Sequence, residues 1–449
     1  MKKLLMICVV LQFLSCRESI DADPSILEDA KVIHTNTDQL SQVIIYDVFS
    51  PPVASRIYAY TSLAAYEAIR HNEPGYPSLA AQMHGFKEIP QPENGKKYNY
   101  LLASSKAFFT VAEKVTFSVD TLRKYYKPLF DQYKSLLDKE TFENSIAFGE
   151  AVGNSILERT KVDHYKETRG MPKFLGVTEP GKWRPTPPDY MDGAEPNWAK
   201  ILPLTMDSAL HFPALPPPLY STDTNGLFYK TAKEVYTISK NLSPEQIEIA
   251  KYWDDNPAVM EHSGHLMFTN KKITPVGHWI GITTIASRMK SLSAVEAAQA
   301  YVMTATAIFD SFVACWEEKY KSQLVRPVTV INESMDRDWS PLLQTPPFPE
   351  HTSGHSTISA SAAIVLTKRF GDNFAFEDTS DLAYIGMKRK FNSFMDAAME
   401  ASISRLYGGI HYRTGVEEGT RQGTRIGEYI NDKIRLKEED STAGKRKSE

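Results

Sequence analysis

Three short segments between residues 316 and 411 hold the side chains that could do chemistry. The first runs from Trp316 through Lys319 to Arg326-Pro327. Lys319 closes an apolar helical stretch, and Arg326 precedes a residue that cannot sit inside a helix. The second is Phe348-Pro349-Glu350-His351-Thr352-Ser353-Gly354-His355, which leads into a helix of small residues. The third is Ser404-Arg405 and His411, with Gly408-Gly409 between them as a helix stop. Lys319, Arg326 and Arg405 supply positive charge, and the planar fork of arginine suits a tetrahedral oxyanion. Ser353 adds a hydroxyl, and Gly354, just ahead of a helix, can turn a backbone N–H toward an anion. His355 and His411 can act as nucleophile, ligand or proton carrier near neutrality. Taken singly, each residue has an ordinary reading: a solvated cation, a turn, a satisfied interior histidine. Their joint spacing is what points to one oxyanion site.

That spacing is the second line of reasoning. Lys319 and Arg326-Pro327, then Ser353-Gly354-His355, then Ser404-Arg405 and His411 resemble the three-part signature of the vanadium-dependent haloperoxidase and type 2 phosphatidic acid phosphatase superfamily. The resemblance covers about residues 316–413, and the flanking sequence is similar to the large bacterial haloperoxidase-like members. It implies an all-α helical bundle. It implies that His411 ligates vanadate, or attacks phosphorus in a phosphatase, and that His355 is the general acid/base. Lys319, Arg326, Arg405, Ser353 and the Gly354 N–H would hold the oxyanion. Trp316 and Phe348 match positions on the halide side of chloroperoxidase-type sites, and Asp255 matches an acidic residue that pairs with an arginine of the signature. The implied cofactor is vanadate, or none in a phosphatase. The implied substrates are hydrogen peroxide and a halide, or a phosphate ester. A surface lipoprotein that only binds anions is the third reading.

The chain departs from the pattern twice. Thr352 stands where the middle motif usually has proline. Gly415 stands four residues after His411, where the phosphatase branch usually has an aspartate that orients the imidazole. That weakens the phosphatase reading unless Glu417 or Glu418 substitutes. A second Ser-Gly-His, in Glu261-His262-Ser263-Gly264-His265, lacks the Lys/Arg-Pro element and reads as scaffold or as support behind the residues that line the pocket, as does His278 beside Trp279.

The elements that must position these groups read as helices. Apolar residues recur at three- and four-residue steps from about Asp38, and Pro51-Pro52 marks a break or a helix start. Residues 96–114, 119–137 and 140–160 continue the pattern. Residues 294–320, 355–370, 380–406 and 415–434 read as the long helices. Ser243 with Gln246, Ser293 with Glu296 and Thr414 with Glu417 read as capping boxes. Between them, 11 of the 27 prolines fall from Pro172 to Pro218. Trp183, Tyr190, Trp198, Phe212 and Tyr220 are interspersed, which a pure linker would not need. Residues 164–227 therefore read as an ordered proline-rich loop between a helical half at 38–163 and a site-bearing helical domain at 228–436, with a charged tail at 437–449.

Composition bounds the rest. The 449 residues are 42% hydrophobic, enough for a sizeable core, and 24% charged. Lys+Arg 51 against Asp+Glu 55 gives −4, which argues against a basic nucleic-acid coat. Three cysteines exclude a disulfide framework and a cysteine-rich zinc site. Lys2-Lys3, the apolar run Leu4–Leu14 and Ser15-Cys16 resemble a bacterial lipoprotein signal. That implies a signal peptide at 1–15, lipid on Cys16 and a tether at 16–37. The mature chain would carry −6 once the two lysines leave, and Cys315 would be its one free thiol. The expected location is the periplasm or outer membrane of a Gram-negative bacterium, with the membrane reached only through lipid.

Overall fold

The computed structural model describes residues 23–257, 260–263, 266–269 and 272–437. The signal peptide, Cys16, the tail beyond Lys437 and the side chains of the second Ser-Gly-His lie outside the described residues.

The chain is built from helices in the order α1 Lys31–Tyr46, α2 Pro51–Ile69, α3 Tyr100–Val115, α4 Val119–Leu136, α5 Lys139–Glu158, α6 Tyr165–Arg169, α7 Leu227–Lys240, α8 Pro244–Tyr252, α9 Pro275–Met289, α10 Ala294–Ser322, α11 Pro327–Ser334, α12 Gly354–Phe370, α13 Leu382–Ile385, α14 Phe394–Tyr407 and α15 Arg413–Lys433. Two antiparallel hairpins, β1 Met260–Ser263 with β2 Leu266–Thr269 and β3 Phe376–Asp378 with β4 Arg389–Phe391, are the sheets among the described residues. The 29-residue α10 is the axis. It is buried along nearly its whole length, packing on α2 and α1 toward the N-terminal helices and on α12, α9 and α15 toward the C-terminal ones. Its start is fixed by a complete Ser293–Glu296 capping box, and α8 has its Ser243–Gln246 equivalent.

Three boundaries differ from the sequence reading. The tether cannot extend to residue 37, because α1 begins at Lys31. Its pattern is hidden by polar residues that are nonetheless buried: His34 Nδ1 lies 2.7 Å from the Tyr301 hydroxyl, and Asn36 Nδ2 donates to Ser105 Oγ at 2.9 Å. Residues 380–406 are not one helix. Gly386 adopts φ 72 and ends α13, β4 pairs with β3, and Ser393 starts a new helix by accepting the Asp396 N–H. Thr414 is not a cap either, since α15 starts one residue earlier behind Tyr412.

The proline-rich stretch is folded onto the helices. Trp183 and Trp198 are buried. Asp310, inside α10, accepts the Leu204 N–H at 2.7 Å, the Thr205 N–H at 2.8 Å and the Thr205 hydroxyl at 2.5 Å. Burial alone would make such a carboxylate costly, and these donors offset it. Further along, His351 Nε2 donates to the Leu215 carbonyl at 2.9 Å. Because that nitrogen carries the proton and burial, aided by Lys319, pushes the imidazole down to about 4, His351 stays neutral in the fold. Below pH 6.5 the unfolded chain takes up a proton that the folded chain refuses, so stability falls as pH drops from 6.5 toward 4. Between pH 7 and pH 5 this group costs ~2 kcal/mol. A His351→Gln variant should lose correspondingly less thermal stability over that interval. An unchanged pH dependence in the variant would contradict the assignment.

α12 and α15 pack backbone to backbone. Gly415, Gly419, Gly423 and Gly427 recur every four residues along one face of α15. A methyl group on Gly419 would lie 2.7 Å from the Ser353 carbonyl oxygen, one on Gly427 would lie 2.9 Å from that of Ser361, and one on Gly423 would collide with that of Thr357.

Candidate active site

The three segments converge. α10 delivers Lys319 in its last turns, and Arg326 precedes Pro327 at the head of α11. Ser353 caps α12, so Gly354 and His355 occupy its first turn, whose N–H groups have no intrahelical acceptor. Arg405 lies near the end of α14. His411 follows the turn at Gly409, whose φ of 76 suits glycine. A cavity of about 350 Å³ opens above them. Gly354, His355, Arg405 and His411 line it, with Trp316, Phe348 and Phe312 as an apolar wall. Met191 and Ala194 bring the proline-rich stretch to its rim. Ala194 is fixed there by accepting from Trp316 Nε1 at 3.2 Å and from the Tyr320 hydroxyl at 2.5 Å.

The cations are buried and partly unpaired. Arg326 Nε donates to the Phe348 carbonyl at 2.8 Å and Nη1 to the Ile410 carbonyl at 2.7 Å, while Nη2 is buried without a partner. Arg405 Nη1 donates to the Trp253 carbonyl, and its Nε is likewise unpaired. Lys319 Nζ donates to the carbonyls of Pro349 and Glu350 at 3.1 Å each and to that of Thr352. Burial first, then mutual repulsion, pulls the Lys319 ammonium down to about 8 and the Arg326 guanidinium to about 10. Ser353 Oγ accepts the Ser356 hydroxyl at 2.8 Å and the Ser356 N–H at 3.3 Å, which leaves its own proton to donate elsewhere. Unpaired donors at a cationic cavity are what a tetrahedral oxyanion satisfies, so this donor set fits vanadate and phosphate alike.

His411 is held from both sides. Its Nδ1 lies 2.7 Å from Glu350 Oε1, and its Nε2 accepts from Arg326 Nη1 at 3.1 Å. Because arginine can only donate, Nε2 carries the lone pair, and Nδ1 keeps the proton and donates it to the Glu350 carboxylate. Burial and then Arg326, Lys319 and Arg405 hold the ring well below the usual imidazole range, so it is neutral. His355 is also pushed well down by burial and Arg405, and its Nε2 has no hydrogen-bond partner. Asp255 Oδ2 stands 3.8 Å away.

Two sequence-derived pairings need correction. Asp255 makes no direct ion pair with an arginine of the signature among the described residues, although its charge supports that of Arg405. Its partner is His278, whose Nδ1 lies 3.0 Å from Oδ2. His278 Nε2 lies 2.9 Å from Asp378, and Asp381 is 3.6 Å off. Burial opposes its charge, but Asp255, Asp378 and Asp381 together raise it well above the usual range, so it is an imidazolium. It anchors the carboxylate beside His355, the supporting place behind the pocket that the sequence reading allowed for it. Nor do Glu417 or Glu418 orient His411. Glu417 pairs with Arg421 at 3.5 Å, and Glu418 accepts the Leu215 N–H at 3.2 Å. Glu350, which sequence reasoning passed over, does so.

Comparison with known proteins comes down on the same side. The family profile of the VCPO second helical-bundle domain matches residues 299–437. A search of curated proteins finds no significant match. Among solved structures, a bacterial vanadium-dependent iodoperoxidase is 42% identical, with a TM-score of 0.87 over 92% of this chain and 98% of that one. The holo form of a bacterial vanadium-dependent chloroperoxidase is 19% identical, with a TM-score of 0.69 over 88% and 95%. An apo-type structure of a bacterial vanadium-dependent chloroperoxidase is 17% identical, with a TM-score of 0.65 over 86% and 94%. The chloroperoxidases share the fold; the first relative, at its identity and coverage, shares the family. This chain belongs to the vanadium-dependent haloperoxidases.

Proposed function

We propose that the chain oxidises iodide with hydrogen peroxide, using vanadate held at His411. The carrying observation is a neutral His411 at the cavity wall, its unprotonated Nε2 beside Arg326, with Arg326 Nη2 and Arg405 Nε left without partners nearby. Vanadate, when bound, is a Lewis acid that activates peroxide toward halide without changing oxidation state. Arg326, Arg405, Lys319, Ser353 and the Gly354 N–H would hold its oxygens. Neutral His355 is placed to take a proton from the incoming peroxide at Nε2, and the Asp255 carboxylate 3.8 Å away stabilises the imidazolium so formed. Trp316, Phe348 and Phe312 exclude water from that side. Iodide is favoured for three reasons: it is the most readily oxidised of the common halides, it tolerates an apolar wall, and the 42% identical relative is an iodoperoxidase. Phe348, which leans toward chloride by position, is part of that same wall.

A phosphatase reading keeps one observation in its favour. Glu350 supplies the imidazole-orienting carboxylate whose absence at Gly415 spoke against it. A paired assay on anion-free protein separates the two. With added orthovanadate, iodide oxidation should appear and exceed bromide and chloride oxidation. Phosphate release from a generic ester, inhibited by vanadate and unaccompanied by any halide oxidation, would sink the peroxidase proposal.

We also propose that the chain is an exported lipoprotein of the periplasm or outer membrane of a Gram-negative bacterium, anchored through Cys16. The Lys2-Lys3, Leu4–Leu14 and Ser15-Cys16 pattern supports this. Cys16→Ser should move the protein from the membrane fraction to the soluble one; a membrane-bound variant would refute it.

A further inference from the structure

We infer that Glu350 is the positioning residue of His411, and that Gly415 lacks a side chain so that this carboxylate can enter from the loop ahead of α12. This rests on the proposed role of His411 as the oxyanion ligand. Two independent features of the geometry carry it.

The first is the contact itself. Glu350 Oε1 accepts from His411 Nδ1 at 2.7 Å and from the Tyr412 N–H at 3.0 Å. One carboxylate oxygen thus fixes both the ring and the peptide beside it. Glu350 is fully buried, and its backbone is tied in turn. Its N–H donates to the Leu324 carbonyl at 3.0 Å, and its carbonyl accepts from Lys319 Nζ at 3.1 Å. The oxygen therefore sits at a point set by α10 and not by the flexibility of a free loop.

The second is Gly415. A methyl group there would collide with Glu350 Oε1 and come within 2.9 Å of its Cδ. The two residues compete for one volume. An aspartate on the first turn of α15 and a glutamate from the preceding loop are alternative ways of filling it, and this chain uses the second. The choice has a consequence. A carboxylate on α15 would have no bond of its own to the Lys319 end of α10. Glu350 is bonded to Lys319 through its carbonyl at 3.1 Å, and Ser353, three residues on, donates its N–H to the Gly415 carbonyl at 3.0 Å. The tautomer of His411 is thereby tied to the groups that hold the oxyanion's oxygens.

Calorimetry with orthovanadate, and separately with inorganic phosphate, on anion-free protein tests this. Glu350→Ala should weaken both affinities by ~10–100-fold. Gly415→Ala should weaken them in the same direction, although neither Glu350 nor His411 is altered. The double variant Glu350→Ala/Gly415→Asp should recover at least ~10-fold over Glu350→Ala, a rescue that a merely structural glutamate does not allow. Nitrogen NMR of the wild-type protein should show His411 protonated at Nδ1 and bare at Nε2. Unchanged affinity in a folded Glu350→Ala variant, failure of the double variant to recover, or a proton on Nε2 would each overturn the inference. If Glu350→Ala does not fold, Gly415→Ala and the wild-type spectrum decide. Tight vanadate binding with the stated tautomer but no halide oxidation would defeat the proposed function and leave this inference standing.

Discussion

His411→Ala should abolish halide oxidation, lowering kcat/KM by ~10³-fold or more, because the imidazole is the group proposed to ligate the oxyanion. The variant should still bind phosphate, more weakly, since Arg326, Arg405, Lys319 and the first turn of α12 are untouched. The space vacated beside Glu350 matches the ring that left it, and the carboxylate remains to accept an N–H. Added imidazole should therefore restore part of the activity, as it would not if His411 served only to pack. Undiminished iodide oxidation by His411→Ala would remove the site from consideration. Oxyanion binding lost along with activity, in a folded protein, would show that the cations do not form a cradle of their own.

Arg326→Ala should weaken oxyanion affinity by ~100-fold, the worth of a charge-assisted donor pair in a buried site. Arg326→Lys should recover little, because Nε and Nη1 are committed to the Phe348 and Ile410 carbonyls while Nη2 stays free, a fork an ammonium cannot copy. Thermal melting gives a second readout. In the absence of an oxyanion the site holds three buried cations; burial lowers the basicity of each, and for Lys319 and Arg326 a neighbouring arginine adds to it. Orthovanadate at a hundred times its dissociation constant should stabilise the wild type by ~2.7 kcal/mol. At the same concentration Arg326→Ala should show a small fraction of that stabilisation. Equal stabilisation of both proteins would place the bound anion away from Arg326.

The signature residues were legible in the sequence because each lies beside something that fixes its local geometry. Arg326 precedes Pro327, Ser353 caps a helix, and His411 follows the Gly409 turn. Their convergence was only implied by resemblance, since nothing in local spacing measures a distance across 30 to 90 residues. Glu350 was not legible. A single glutamate between Pro349 and His351 carries no period and no cap, and its one trace is an absence, the missing side chain at Gly415. Asp378 and Asp381 were hidden for the same reason: they meet His278 only in the folded chain. The helix boundaries failed where burial and polarity part company. The start of α1 is lined by His34, Asn36 and Thr37, polar residues facing inward, so apolar spacing understates it. The interruption between α13 and α14 lies in a stretch whose apolar spacing suits a helix, and its one local sign is Gly386, which ends α13 in the left-handed region.

The glycines of α15 carry a mechanical meaning. Side-chain interfaces between helices can slide, because rotamers re-sort as one ridge rides over another. At Gly419 and Gly423 the main chain of α15 is laid against the main chain of α12 at Ser353 and Thr357, so α15 brings no rotamers of its own to re-sort there and none to freeze on folding. Such a seam acts as a strut. His355 stands at one end of it and His411 just before its start, so the two imidazoles keep their separation whatever the cavity above them admits. A reaction that runs on small, hard-to-distinguish anions then has its ruler built into the backbone, where thermal motion is least able to stretch it.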